Sequence, residues 1–202
     1  MSPTQALISA RINRRLGGPG AVVTSKDFLD LAGRAAVDQA LCRLVRDGVL
    51  VRIRRGLYHL PRRNPKLDLD VPPDPDAIAA AIGRQTGSPV APSDATVANR
   101  LGLSTQISAK PVYLTTGRSR TMQIGTRTFR FKRVSPRRMP AEDDAVSRAI
   151  QALHAAGPDP DEATIGALRG ILTSRQRRDL LERAKYDVGW LARSARRVAA
   201  DG

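Results

Sequence analysis

Between Arg34 and Leu60 the hydrophobic period of the chain switches from three-to-four residues to two, with Gly48 at the switch. Val37, Ala40, Leu41, Leu44 and Val45 recur at the i, i+3, i+4, i+7, i+8 spacing that lays one apolar stripe along a helix. Gly48 supplies the left-handed backbone that stops such a helix. Val49, Val51 and Ile53 then alternate with Leu50, Arg52 and Arg54, and Gly56 gives the positive φ needed to return through Leu57, Tyr58 and Leu60. The pattern predicts a helix over residues 34–47 followed at once by a β-hairpin.

Two further helical segments precede these. Leu7, Ile8, Ile12 and Leu16 predict a helix over residues 4–16, stopped by Gly17, Gly18, Pro19 and Gly20. Thr24 or Ser25 can cap a short helix through Phe28, Leu29 and Leu31, ending near Gly33. Three helices and a hairpin in this order are the plan of a winged helix-turn-helix module, with the hairpin as wing. The run from Pro61 to Pro75 carries five prolines among charged residues and resists both helix and central strand. The expected organisation is therefore a winged helix-turn-helix domain over 1–62, a linker over 63–74 and a second domain over 75–202.

In that second domain, residues 73–85 and 93–102 have helical spacing. Val112 to Leu114, Thr121 to Ile124 and Thr128 to Val134 read as an antiparallel sheet turning at Gly117 and Gly125. Residues 142–156, 162–172 and 175–197 return to helix, the last broken near Asp187. The fold class expected is α+β, mainly α: the winged module, then an α+β domain with a small antiparallel sheet and a helical C-terminal segment.

Charge narrows the choice of partner. Thirty-four basic against 19 acidic residues give a net charge of +15, a field that attracts polyanions. Residues 1–70 carry +7, residues 71–140 carry +8, and the remainder is neutral. An arginine-rich composition also follows from a GC-rich genome, which leaves this asymmetry unexplained. With 41% hydrophobic and 26% charged residues the chain should fold. No apolar run approaches the roughly 18 residues of a membrane span, and the first 16 residues lack a secretory pattern. A cytoplasmic protein without membrane partners is expected. Cys42 is the only cysteine and His59 and His154 the only histidines, so neither a disulfide nor a metal site is expected, and no cofactor.

With Val37, Leu41 and Leu44 turned inward, Ala35, Gln39, Cys42, Arg43 and Arg46 point outward. Major-groove reading needs small residues at close approach and amide or guanidinium groups that make paired hydrogen bonds to base edges. Ala35, Gln39 and Arg43 meet those demands, Gln39 suiting adenine and Arg43 guanine. Arg46 suits phosphate, and Arg34, at the helix start, suits either. A solvated helix face would show the same residues. Arg52, Arg54 and Arg55 concentrate cations on the wing, although arginines also protect sheet edges from pairing. Thr24, Ser25 and Lys26 offer a phosphate clamp or a simple cap. Tyr58 is expected to pack between strand and helix, and His59 to be exposed. Arg118, Arg120, Arg130, Lys132, Arg133, Arg137 and Arg138, with Arg127, could extend a second basic surface toward flanking DNA or an acidic protein face; a solvated sheet face is the plain alternative. If strand alternation holds, Arg127, Phe129 and Phe131 share one face and Thr128, Arg130 and Lys132 the other.

Four stretches taken together resemble a known family: ALCRLVRDGVLVRIRRGLYHLP (40–61), APSDATVANRLGLSTQ (91–106), PVYLTTGRSR (111–120) and FKRVSPRRM (131–139). The chain resembles AbiEi-like antitoxins of type IV toxin–antitoxin systems over about residues 4–156. The resemblance implies an antitoxin that represses its own operon and counters a nucleotidyltransferase-like toxin, as in phage defence. Ser93, Asn99, Thr105 and Gln106 fall in the second stretch without an evident chemical role, helix capping being the default. If the protein represses its own promoter, two copies on an inverted repeat of double-stranded operator DNA are expected. The alternative is a winged regulator without a toxin, its second domain used for dimerisation or ligand sensing. No phosphate-cradling glycine loop, nucleophile with base, or paired carboxylates at useful spacing stands out, so no enzymatic activity is expected. Asp143 and Asp144 are adjacent and diverge on a helix, and Asp159 and Asp161 read as helix-start residues.

Overall fold

The computed structural model describes residues 2–103, 111–140 and 144–200. Its contacts divide the chain into two units, Met1–Ala91 with Thr115–Arg133, and Pro92–Leu114 with Val134–Gly202. The architecture is α+β with small antiparallel sheets.

In the first unit, α1 (Pro3–Arg15) starts at Ser2, whose hydroxyl accepts from the Gln5 N–H while Gln5 reaches back to the Ser2 N–H, a reciprocal cap. Its Ile8 and Ile12 are buried. The chain then forms β1 (Val22–Thr24), one 3-10 turn (Ser25–Phe28), α2 (Arg34–Arg46), β2 (Val51–Arg54) and β3 (Leu57–His59). The three strands are antiparallel in the order β1-β3-β2. This is the winged order, with its second helix reduced to a single turn. The apolar stripe of α2 is buried as predicted, Val37, Leu41 and Leu44 completely. These side chains meet Ile8, Ile12, Val23, Phe28, Leu50 and Tyr58 in one core. Each large aliphatic side chain there contributes about 1.5–3 kcal/mol of burial.

The expected linker is not free of structure. Arg62 to Asn64 (β4) pairs with Leu69 to Val71 (β5) in a two-stranded hairpin turning at Asp68, which has φ 51°. Prolines exclude helix but tolerate such an edge ribbon. The helix expected to open the second domain, α3 (Pro75–Thr86), belongs instead to the first unit. Arg84 helps to hold it there: Nε and Nη2 donate to the two carboxylate oxygens of Asp27 at 2.8 and 3.2 Å, and Nη2 donates to the Val22 carbonyl at 2.8 Å. The division at 62 and 75 is corrected accordingly.

The chain continues through β6 (Val90–Pro92), α4 (Asp94–Arg100) and β7 (Val112–Thr115), then returns to the first unit as the ribbon β8 (Arg120–Ile124) and β9 (Arg127–Arg133). In the second unit Ser93 caps α4, accepting from the Thr96 N–H, which is the capping role expected of it. Four helices follow: α5 (Ala145–Ala156), α6 (Glu162–Ile171), α7 (Ser174–Ala184) and α8 (Gly189–Ala199). Leu153, Ile165, Leu168, Leu180, Leu191 and Val198 form their core. The break near Asp187 falls between α7 and α8, as predicted. Thr105, Gln106, Glu142 and Asp143 lie outside the described residues.

His59 is buried, contrary to the expectation of exposure, with Nδ1 3.4 Å from the Ala21 carbonyl oxygen. As part of the central strand it is flanked by Val22 on one side and Val51 on the other. Burial pushes its pKa below the ordinary value near 6.5. The unfolded chain therefore binds this proton more readily than the folded one. Its contribution to stability is complete above about pH 6.5 and is lost as pH falls below that toward the folded pKa. Thermal unfolding between about pH 7.5 and 5 should show a steeper fall in stability for the natural chain than for His59→Gln. Parallel curves would show that His59 titrates alike in both states.

Candidate nucleic-acid interface

The outward side of α2 is free of packing. Ala35, Gln39, Cys42, Arg43 and Arg46 are all exposed, which is where the apolar stripe opposite them should leave them. Arg43 has no carboxylate partner among the described residues. Arg46 lies only loosely against Asp47, at 3.9 Å with 78% of its side chain exposed.

Arg34 is tied down. Its Nε donates to Asp38 Oδ2 at 2.7 Å while the Ser25 hydroxyl donates to Asp38 Oδ1 at the same distance. Arg34, then Ser25, holds the Asp38 carboxyl below the usual carboxylate range. Asp38 thus locks the start of α2 to the turn before it, a role the sequence reading missed; the i, i+4 spacing of Arg34 and Asp38 was the available signal. The Arg34 side chain stays 62% exposed and can still meet phosphate.

The proposed clamp at the preceding turn is corrected. Thr24 and Ser25 are buried, Thr24 within the sheet and Ser25 against Asp38, so neither hydroxyl faces a ligand. Lys26 alone remains exposed there.

Tyr58 connects helix and wing. It is buried in the core, as expected, and pairs with Arg52 of β2 across the wing. Burial raises its pKa; the Cys42 thiol adds to the rise and the Arg52 charge opposes it. Tyr58 shares one core with Val37, Leu41 and Leu44, so the base of the wing packs on α2. Within β2 the register slips between Arg52 and Arg54, leaving Ile53 as a bulge that adds twist. Arg52, Arg54 and Arg55 are exposed and have no carboxylate partner among the described residues. Gly56, at φ 73°, turns the wing where a Cβ would stand 2.8 Å from Gln85 Nε2 of α3.

The expected second basic surface divides. Arg118, Arg130, Lys132 and Arg133 are exposed in the first unit, whereas the Arg120 guanidinium lies 5.2 Å over the Phe131 ring. Arg137 and Arg138 belong to the second unit, where Arg138 faces Asp94 at 3.8 Å. The seven cations are therefore divided between the two units. By contrast, the charge asymmetry sharpens: the first unit holds 20 basic and 8 acidic residues, net +12, and the second 14 and 11, net +3. Among the described residues no group of three or more His, Cys, Asp or Glu could hold a metal ion, and no helix is long and apolar enough to cross a membrane.

A strongly basic winged unit joined to a helical one is the class of protein this fold and face define. The chain belongs to a family of unknown function, DUF6088, which matches residues 10–180. No curated protein and no solved structure matches it.

Proposed function

We propose that this protein binds duplex DNA through α2 and the wing as a transcriptional repressor. The single observation that supports the reading best is Gln39 and Arg43 on the open side of α2, with Arg52, Arg54 and Arg55 exposed on the hairpin that packs on this helix and without carboxylate partners among the described residues. With α2 in the major groove, Ala35 allows close approach, Gln39 pairs with an adenine edge and Arg43 with guanine. Arg34, Arg46 and the wing cations meet phosphate. Each helix reads only a few base pairs, so two copies on an inverted repeat supply useful affinity.

In line with its resemblance to AbiEi-like antitoxins, we further propose that the protein acts in the cytoplasm, represses its own operon and counteracts a nucleotidyltransferase-like toxin. Gel-shift titration against its own promoter tests the first step. Neutralising six to eight phosphates makes affinity fall about a thousandfold or more between roughly 50 and 200 mM salt. Salt-independent binding, or none at low salt, refutes it. Co-expression with a toxin encoded beside it tests the second, the expected result being restored growth; unrelieved toxicity leaves a repressor without antitoxin activity.

A further inference from the structure

The β8–β9 ribbon is the other strongly charged surface of the first unit. Residues 115–133 contain six basic side chains and no acidic one. The antiparallel register sets Thr121 against Arg130 and Gln123 against Thr128, so these four share one side of the ribbon with Lys132. Phe129 and Phe131 are buried on the other. Arg130 and Lys132 are exposed and have no carboxylate partner among the described residues.

The turn of this ribbon lies next to the wing. Ile53 of β2, between Arg52 and Arg54, lines a cleft of about 240 Å³ together with Ile124, Gly125, Thr126 and Arg127. Arg127 at this turn lies on the Phe129 side of the ribbon, and Arg130 and Lys132 carry the positive charge onward on its other side. We propose that the ribbon is a second duplex-DNA contact, holding phosphates of the DNA that flanks the segment under α2 and the wing. The inference rests on the reading that α2 and the wing bind duplex DNA.

The composition of the ribbon face favours DNA over an acidic protein. Protein interfaces centre on apolar and aromatic side chains, and none is present among Thr121, Gln123, Thr128, Arg130 and Lys132. Cationic, hydroxyl and amide side chains are the groups that contact phosphate. Arg130 and Lys132, two residues apart on one strand, stand about 6.8 Å apart. That spans two phosphate steps of one DNA strand, at about 3.4 Å each along the axis.

The test compares the full chain with its R130Q/K132Q variant on random-sequence duplexes of about 12 and about 30 base pairs, following affinity against salt. Both side chains are exposed, and an unchanged unfolding temperature establishes that the variant is folded. On the long duplex the variant should lose about 1.8 from the slope of log affinity against log salt, two phosphates at about 0.9 each. On the short duplex the slopes should agree. Equal slopes on the long duplex overturn the ribbon contact while leaving the α2 reading intact. Equal slopes accompanied by lost growth rescue from a co-expressed toxin overturn it in favour of an acidic protein face. Failure of the natural chain to bind either duplex overturns both readings.

Discussion

Arg43→Ala is expected to weaken operator binding by about 1–3 kcal/mol, roughly 5- to 150-fold, while scarcely changing affinity for random duplex. The reason is the position of Arg43 on α2, exposed and free to make two parallel hydrogen bonds to one guanine. Its loss leaves those acceptors unread and the base choice relaxed. Gln39→Ala should behave in the same way at an adenine. Arg54→Gln and Arg55→Gln should differ in kind, because phosphate carries no sequence information. Each should lower affinity for operator and random DNA alike and take about 0.9 from the salt slope. Asp38→Ala should produce a mixed result, since it frees Arg34 and Ser25 together and loosens the start of α2. Competition titrations of all five variants on promoter and random duplexes separate the two classes. Equal losses on both duplexes for Arg43→Ala and Gln39→Ala would reject their assignment to base edges.

The parts legible from sequence were those with a local period. The α2 stripe ends at Gly48 and is long enough to fix which side turns outward, so the exposure of Gln39 and Arg43 followed from Val37, Leu41 and Leu44. The alternation along β9 likewise separated Phe129 and Phe131 from Arg130 and Lys132. What escaped was short or nonlocal. Strand β1 has three residues, all buried, too few to alternate. Without β1 nothing marks β3 as the central strand, and so His59 read as exposed and Thr24 and Ser25 as a clamp or a cap. The partnership of Arg84 with Asp27 spans 57 residues and leaves no trace in any window of sequence. That contact is one of those that tie α3 to β1 and the turn after it, and with them places α3 in the first unit.

Arg84→Ala should accordingly destabilise the winged unit by about 1–3 kcal/mol, the cost of leaving a nearly buried carboxylate and a carbonyl without their donor. The Asp27 side chain is only 6% exposed, so water cannot replace the guanidinium freely. The Thr24 N–H still donates to Asp27 Oδ2 at 2.8 Å. Arg84 is itself 40% exposed, so solvent screening keeps the loss below the 3–5 kcal/mol of a fully buried pair. Arg84→Lys should recover only part of it, since an ammonium cannot bridge both Asp27 oxygens and the Val22 carbonyl in one plane. The Asp27→Asn/Arg84→Ala double variant should be less unstable than the two single changes predict together, because the orphaned charge is gone. Denaturant unfolding of the full chain followed by near-ultraviolet circular dichroism measures this cycle. Strict additivity would mean that Asp27 and Arg84 do not interact in solution.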